Sequence, residues 1–159
     1  MSDKENYLDK LNERRDFFQK NFLVKIGRQR TDKNSQEILK NSCPVCGYLT
    51  LDERNSFEIC GICFWEDDGI DEFEENEVSG PNHISLKKGR LIFLEAKRKL
   101  ISDKTYKSDI TNELRDKFLK LDNLIMQSDF DKTEIIRQQS EIVNLLEQNR
   151  IYGLEKLFK

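Results

Sequence analysis

Four cysteines constrain this chain more than anything else in it. They fall as Cys43-x-x-Cys46, then 13 residues, then Cys60-x-x-Cys63, and no cysteine is left over. Each C-x-x-C can place two thiolates on one turn, with backbone N–H groups aimed at the sulfurs. Two such turns can close a tetrahedral four-sulfur shell. The spacing therefore predicts a metal site with Cys43, Cys46, Cys60 and Cys63 as ligands. Zinc is the first expectation, because it needs no redox partner and accepts four thiolates readily; iron held by four thiolates stays open. A pair of disulfides is a rival that would suit secretion, but MSDKENYLDK is polar from its second residue and predicts no secretory leader. A C-x-x-C redox site is the other rival. It normally follows a strand and opens a helix, which a second C-x-x-C so close behind fits poorly. A closed shell leaves no position for water or substrate, so one structural Zn²⁺ acting as a fold staple is expected.

Other chemistry finds little support. His83 is the only histidine and would be a fifth candidate for a filled shell. Nothing brings a second catalytic partner to it, and no Gly-rich phosphate loop is present. Phe64 and Trp65 follow Cys63 directly. They either cover the metal turn and join the core, or Trp65 is an exposed contact anchor of the kind favoured at interfaces.

Charge is unevenly placed. The chain carries −3 overall, yet residues 66–83 carry −8 with no Lys or Arg, and residues 84–107 carry +6. The acidic block is Glu66, Asp67, Asp68, Asp71, Glu72, Glu74, Glu75 and Glu77. It reads as a solvated face that partly neutralises the basic block, or as a surface for a basic partner. A pI near 5.4 argues against tight general binding of nucleic acid, whose phosphates need positive potential. Nowhere do 18 apolar residues run together, so no transmembrane helix is expected.

Helical periodicity dominates the remainder. Tyr7, Leu11, Phe18 and Phe22 predict an amphipathic helix over 3–23, opened by a Ser2/Glu5 capping pattern. A short helical piece through Ile38 and Leu39 leads into Cys43. Leu49 and Leu51 alternate with polar neighbours, as do Phe57 and Ile59, and the turn-like Asp52–Asn55 between them predicts a β-hairpin. Residues 66–83 read as loop. Ser85 is placed to cap a helix over 86–101, in which Gly89 costs about 1 kcal/mol relative to Ala. Ile110, Leu114, Phe118, Leu121 and Ile125 mark a further helix. Asp131 and Glu134 open another that carries Ile135, Ile142 and Leu146, with Gly153 as a stop signal. The expected fold is mainly α with a small zinc-ribbon β-hairpin: an N-terminal helix, four-cysteine zinc knuckles, then three helices including a C-terminal αα-hairpin. The expected division is 1–42, 43–101 and 102–159.

The stretch Cys43-Pro44-Val45-Cys46-Gly47-Tyr48-Leu49-Thr50-Leu51 resembles the opening of the small bacterial cysteine-rich CPCC family. The resemblance continues through Ile59-Cys60-Gly61-Ile62-Cys63-Phe64-Trp65-Glu66-Asp67-Asp68-Gly69. It resumes at Gly80-Pro81-Asn82, Ser85-Leu86, Arg90 and Phe93. Val45 stands where the family name has Cys, and Gly89 replaces the usual Ala. The resemblance implies a zinc-ribbon-like accessory protein of bacteria, some relatives being associated with toxin–immunity loci. The reading that follows is a non-enzymatic, cytoplasmic binding protein, most specifically an immunity protein or antitoxin acting on a basic toxin domain. Its expected contacts are Trp65, Glu66, Asp67, Asp68, Asp71, Glu72 and Glu74. The alternative is a nucleic-acid- or ribosome-associated zinc ribbon using the basic helix. An enzyme or redox protein is the third class, and it lacks an open metal position and a convincing base.

Overall fold

The computed structural model describes residues 3–22, 40–70, 72–102 and 109–149, and the side chains among these from residue 9 onward except that of Glu72. Four helices and one small antiparallel sheet make up the described chain. Helix α1 spans Asp3–Asn21, α2 Leu86–Ser102, α3 Asp109–Met126 and α4 Lys132–Gln148. The sheet pairs β1, Asn41–Ser42, with β2, Leu49–Leu51. The mainly helical expectation holds. The Ser2/Glu5 capping pattern, the helical piece at Ile38–Leu39 and Gly153 lie outside the described residues.

Each helix forms where its apolar period places it. On α3, Leu114, Phe118 and Leu121 are fully buried, and on α4 Ile135, Ile142 and Leu146 are too. The two stripes face each other as an antiparallel pair, because only residues 127–131 join them. Asp131 caps α4, its carboxylate accepting from the Thr133 and Glu134 amides at 2.8 and 3.4 Å. Ser85 does the same for α2, its Oγ accepting from the Lys88 amide at 3.2 Å. Helix α1 contributes Leu11 and Phe18, both buried. Phe17 meets Phe130 of the α3–α4 link edge-on at 4.9 Å, which ties the first helix to the last pair.

The predicted hairpin is not the one that forms. Leu49–Leu51 is a strand, but it pairs with Asn41–Ser42 on its N-terminal side, with a bulge between the two pairs. Phe57–Ile59 turns instead to the chain beyond the second C-x-x-C, where Ile59 bridges Glu66. The reason is the compactness of the cysteine turns. Each one reverses the chain so tightly that it closes its own short hairpin before a longer one can form. Phe57 and Ile59 alternate without being buried: both are more than half exposed. The expected loop over 66–83 also contains a 3₁₀ turn at Glu72–Glu74 and a bridge from Val78 to Ser85. Among the described residues no helix is long and apolar enough to cross a membrane.

Candidate metal centre

The two C-x-x-C segments fold into two copies of one turn. In the first, the Cys43 amide donates to the Tyr48 carbonyl at 2.8 Å and the Gly47 amide to the Cys43 carbonyl at 2.9 Å. In the second, the Cys60 amide donates to the Trp65 carbonyl at 2.8 Å and the Phe64 amide to the Cys60 carbonyl at 2.9 Å. The amide two residues on donates to the leading sulfur in both, Val45 to Cys43 Sγ and Ile62 to Cys60 Sγ, each at 3.4 Å. An aromatic residue closes each turn and is buried, Tyr48 in one and Trp65 in the other.

The turns face each other with their sulfurs inward. Cys43 Sγ lies 3.5 Å from Cys63 Sγ, and Cys46 Sγ 3.6 Å from Cys60 Sγ. All four sulfurs fall within 4.8 Å of one another. A tetrahedral site with Zn–S near 2.3 Å has edges of about 3.8 Å, so the cluster is the right size for an ion at its centre. All four cysteines are buried and unbridged, which removes the disulfide reading. Thr50 Oγ1 lies 3.0 Å from Cys60 Sγ, and the Cys63 amide adds a third contact to that sulfur at 3.5 Å. Donors of this kind steady a thiolate and orient it.

Protonation inside the cluster is uneven. Burial pushes the Cys46 and Cys63 thiols well above their ordinary range, and contacts with the neighbouring sulfurs add to it. Burial opposes ionisation of Cys60 too, but hydrogen bonds from Cys43, Cys46 and Cys63 outweigh it and hold that thiol well below its ordinary range. A divalent cation displaces the protons from such a set, so its binding is coupled to proton release.

Basic side chains hold the first turn from behind. Arg14 Nε of α1 donates to the Cys46 carbonyl at 2.9 Å, and its guanidinium stacks 4.5 Å above the Tyr48 ring. Arg90 Nε of α2 donates to the Pro44 carbonyl at 2.9 Å. Lys97 Nζ donates to Tyr48 Oη at 2.7 Å and to Asp122 of α3 at 2.5 Å, while Tyr48 Oη donates to the same carboxylate at 2.8 Å. Burial drives the Lys97 amine down to about 8, against the pull of Asp122. Arg14 and Lys97 carried no sequence signal for this site, whereas Thr50 and Arg90 fell within the residues that showed the family resemblance.

The expected partner contacts divide sharply. Trp65 is only 4% exposed and packs where Gly89 of α2 leaves room, since a Cβ there would come within 3.0 Å of Trp65 Cζ3. Of the two roles open to Trp65, the structure places it in the core. Asp67 is fully buried. Its carboxylate accepts from Arg54 Nε at 2.7 Å and from the Asn55 amide at 2.8 Å, so it fixes the turn rather than facing solvent. Glu66 is half-buried, with its backbone bonded both ways to the Asn82 side chain. Asp68 is half-buried and Glu74 exposed. Asp71 and the Glu72 side chain lie outside the described residues. His83 is exposed, away from the sulfur cluster.

Two sulfur turns, closed on each other and braced by helices, define a four-cysteine metal-binding module within a mainly helical protein. Residues 41–97 match the family model described as "Cysteine-rich CPCC". The matched segment begins at the first residue of β1 and ends at Lys97, the residue that bonds Tyr48. Helices α1, α3 and α4 lie outside it. Comparison with curated proteins and with solved structures gives no match.

Proposed function

We propose that this protein is a non-enzymatic, zinc-stapled protein-binding module. Its most specific form is a bacterial immunity protein or antitoxin that neutralises a cognate toxin in the cytoplasm by direct binding. The observation that carries the reading is the closure of the sulfur shell. Cys43, Cys46 and Cys60 are fully buried and Cys63 is 4% exposed. Four thiolates fill a tetrahedral shell and leave no site for water or substrate, so the ion supports the fold and does no chemistry. Zinc suits the donor set, being redox-inert and at ease with four thiolates.

The second sulfur turn runs straight into the acidic stretch, which gives that stretch a fixed base. Complementary charge selects partners and speeds their association, so a basic protein is the natural partner. The nucleic-acid alternative loses ground because Arg90 and Lys97, two bases of the basic helix, are buried. The toxin–immunity role draws on the family resemblance.

The test is co-expression with the product of the adjacent gene. The expected result is a neighbour that is toxic alone, harmless together with this protein, and co-purified with it. A harmless or unbound neighbour overturns the immunity role. Metal analysis of the purified protein, expected at one zinc per chain, tests the ion separately.

A further inference from the structure

Six large apolar side chains are exposed among the described residues, and four of them fall within residues 57–78: Phe57, Ile59, Phe73 and Val78. The same stretch holds nine carboxylates and neither Lys nor Arg. Exposed apolar groups set in so acidic a surface are not explained by packing or by solubility alone.

Hydrogen bonds fasten these segments edge to edge. The Phe57 amide donates to the Asp67 carbonyl, and the Asp67 amide to the Glu58 carbonyl, both at 2.9 Å. Glu66 of the same pair is bonded to Asn82. Asn82 sits in the turn between Val78 and Ser85, which bridge each other. The 3₁₀ turn that carries Phe73 is pinned to the start of α2 by the Lys87 amide, which donates to the Glu75 carbonyl at 2.9 Å. Phe57 is held at φ 60°, a region that bulky residues seldom enter, and the residue is 60% exposed. The backbone therefore presents this aromatic outward where burial gains nothing.

The carboxylates around these groups are not all spent within the protein. Asp67 is occupied by Arg54, and Glu75 by Lys87 and Arg90. Asp68 Oδ1 is buried with no hydrogen-bond donor. Glu74 and Glu77 are exposed and make no ion pair among the described residues.

We propose that this face docks a basic protein whose surface sets apolar groups among Lys and Arg. Phe57, Ile59 and Val78 act as apolar anchors, and Glu74 and Glu77 form the charged rim. The proposal rests on the protein-binding reading above and moves the anchor from Trp65 to these exposed residues. Apolar anchors ringed by complementary charge match the anatomy of protein interfaces. Nucleic acid is repelled by the carboxylates, and a two-fold dimer through the same face would oppose like charges.

The test uses the full metal-loaded chain and three labelled 18-residue peptides. One is an amphipathic Lys/Leu helix, the second replaces its Leu by Ser, and the third replaces its Lys by Glu. The Lys/Leu peptide is expected to bind about 10-fold more tightly than either control. Phe57→Asn with Ile59→Ser and Val78→Ser should weaken it about 10-fold. Asn suits the positive φ, and all three sites are exposed, so the fold is kept; unchanged zinc content and circular dichroism verify this. Leu119→Ser with Met126→Ser, the remaining exposed apolar pair, should change nothing. Glu74→Gln with Glu77→Gln should flatten the salt dependence.

Equal binding by the triple variant overturns the proposal, as does equal binding of the Lys/Leu and Lys/Ser peptides. Light scattering that shows self-association abolished by the triple variant also overturns it, making a second copy the occupant. A cognate partner that binds the triple variant unchanged would sink this surface and leave the protein-binding reading standing. Failure to find a toxin leaves the peptide result unaffected.

Discussion

Gly47 and Phe64 hold the same place in two copies of one turn, each directly after the second cysteine, at φ 76° and 62°. Each amide donates to the carbonyl of the leading cysteine, so both residues must enter the left-handed region for the turn to close. Glycine does so without penalty, whereas Phe64 does so against its own preference. Its ring packs against the buried core, which offsets the strain.

Gly47 has no such freedom to change. A Cβ there would lie 2.9 Å from Leu11 Cδ1 of α1 and would sit at the same positive φ. Gly47→Ala is expected to cost about 2 kcal/mol from backbone strain and overpacking together. Urea unfolding of the metal-loaded protein measures it. A loss indistinguishable from zero would show that α1 does not rest on the first turn.

Removing the metal should loosen both turns at once. Thr50 Oγ1 and two backbone amides lie 3.0–3.5 Å from Cys60 Sγ, so losing this cysteine breaks the best-supported corner of the shell. Trp65 closes the second turn and is buried against α2, and it is the only tryptophan. Chelation, or Cys60→Ser, should shift its emission to longer wavelength and lower the thermal midpoint by about 10 °C or more. Unchanged emission and midpoint after verified metal loss would mean that the turns stand without the ion.

How far the sequence carried the fold follows from the range of each interaction. Helices α2, α3 and α4 and the caps Ser85 and Asp131 were legible because their signals lie within a few residues. The capping box at Asp131 was legible only in half, since Glu134 turns away to Arg137 and Lys120. Strand pairing was misread because the partner of Leu49–Leu51 is Asn41–Ser42, two polar residues with no alternation to read. The grouping of the four cysteines was plain from spacing, while their supports were not. Tyr48 and Lys97 are 49 residues apart, and Lys97 and Asp122 a further 25. Asp67 looked like one more solvated carboxylate in an acidic run. Its burial depends on Arg54, 13 residues away, and on a backbone amide that no residue pattern marks.

The Lys97–Asp122 pair makes a sharper prediction than its parts. Lys97 is nearly buried, and Asp122 and Tyr48 are its hydrogen-bond partners. Asp122→Leu leaves the ammonium with only a phenol and two aromatic faces, and it should cost about 2 kcal/mol. Lys97→Met in the same chain removes the stranded charge, so the double variant should be more stable than Asp122→Leu alone. Denaturant unfolding of the four proteins of the cycle measures the coupling. A double variant weaker than both single ones would show that the pair is not the unit that matters.

Acid should weaken the charged lattice between α3 and α4. Glu134 bonds Arg137 on its own helix and pairs with Lys120 on α3, and these cations hold its carboxyl down to about 2. A carboxyl depressed on folding stabilises the protein above its ordinary range, and that contribution fades as pH falls toward the folded value. The stability difference between the wild type and Glu134→Gln should therefore be constant near neutrality and shrink as pH falls from about 4.5 to about 2. Both proteins are compared in the same metal state, so that proton competition at the sulfurs cancels. Carboxyl carbon resonances followed by NMR should place the Glu134 midpoint near 2, and Arg137→Ala should raise it toward the ordinary carboxylate range. A midpoint unmoved by Arg137→Ala would mean that Lys120 alone, across the helix pair, sets the charge of this residue.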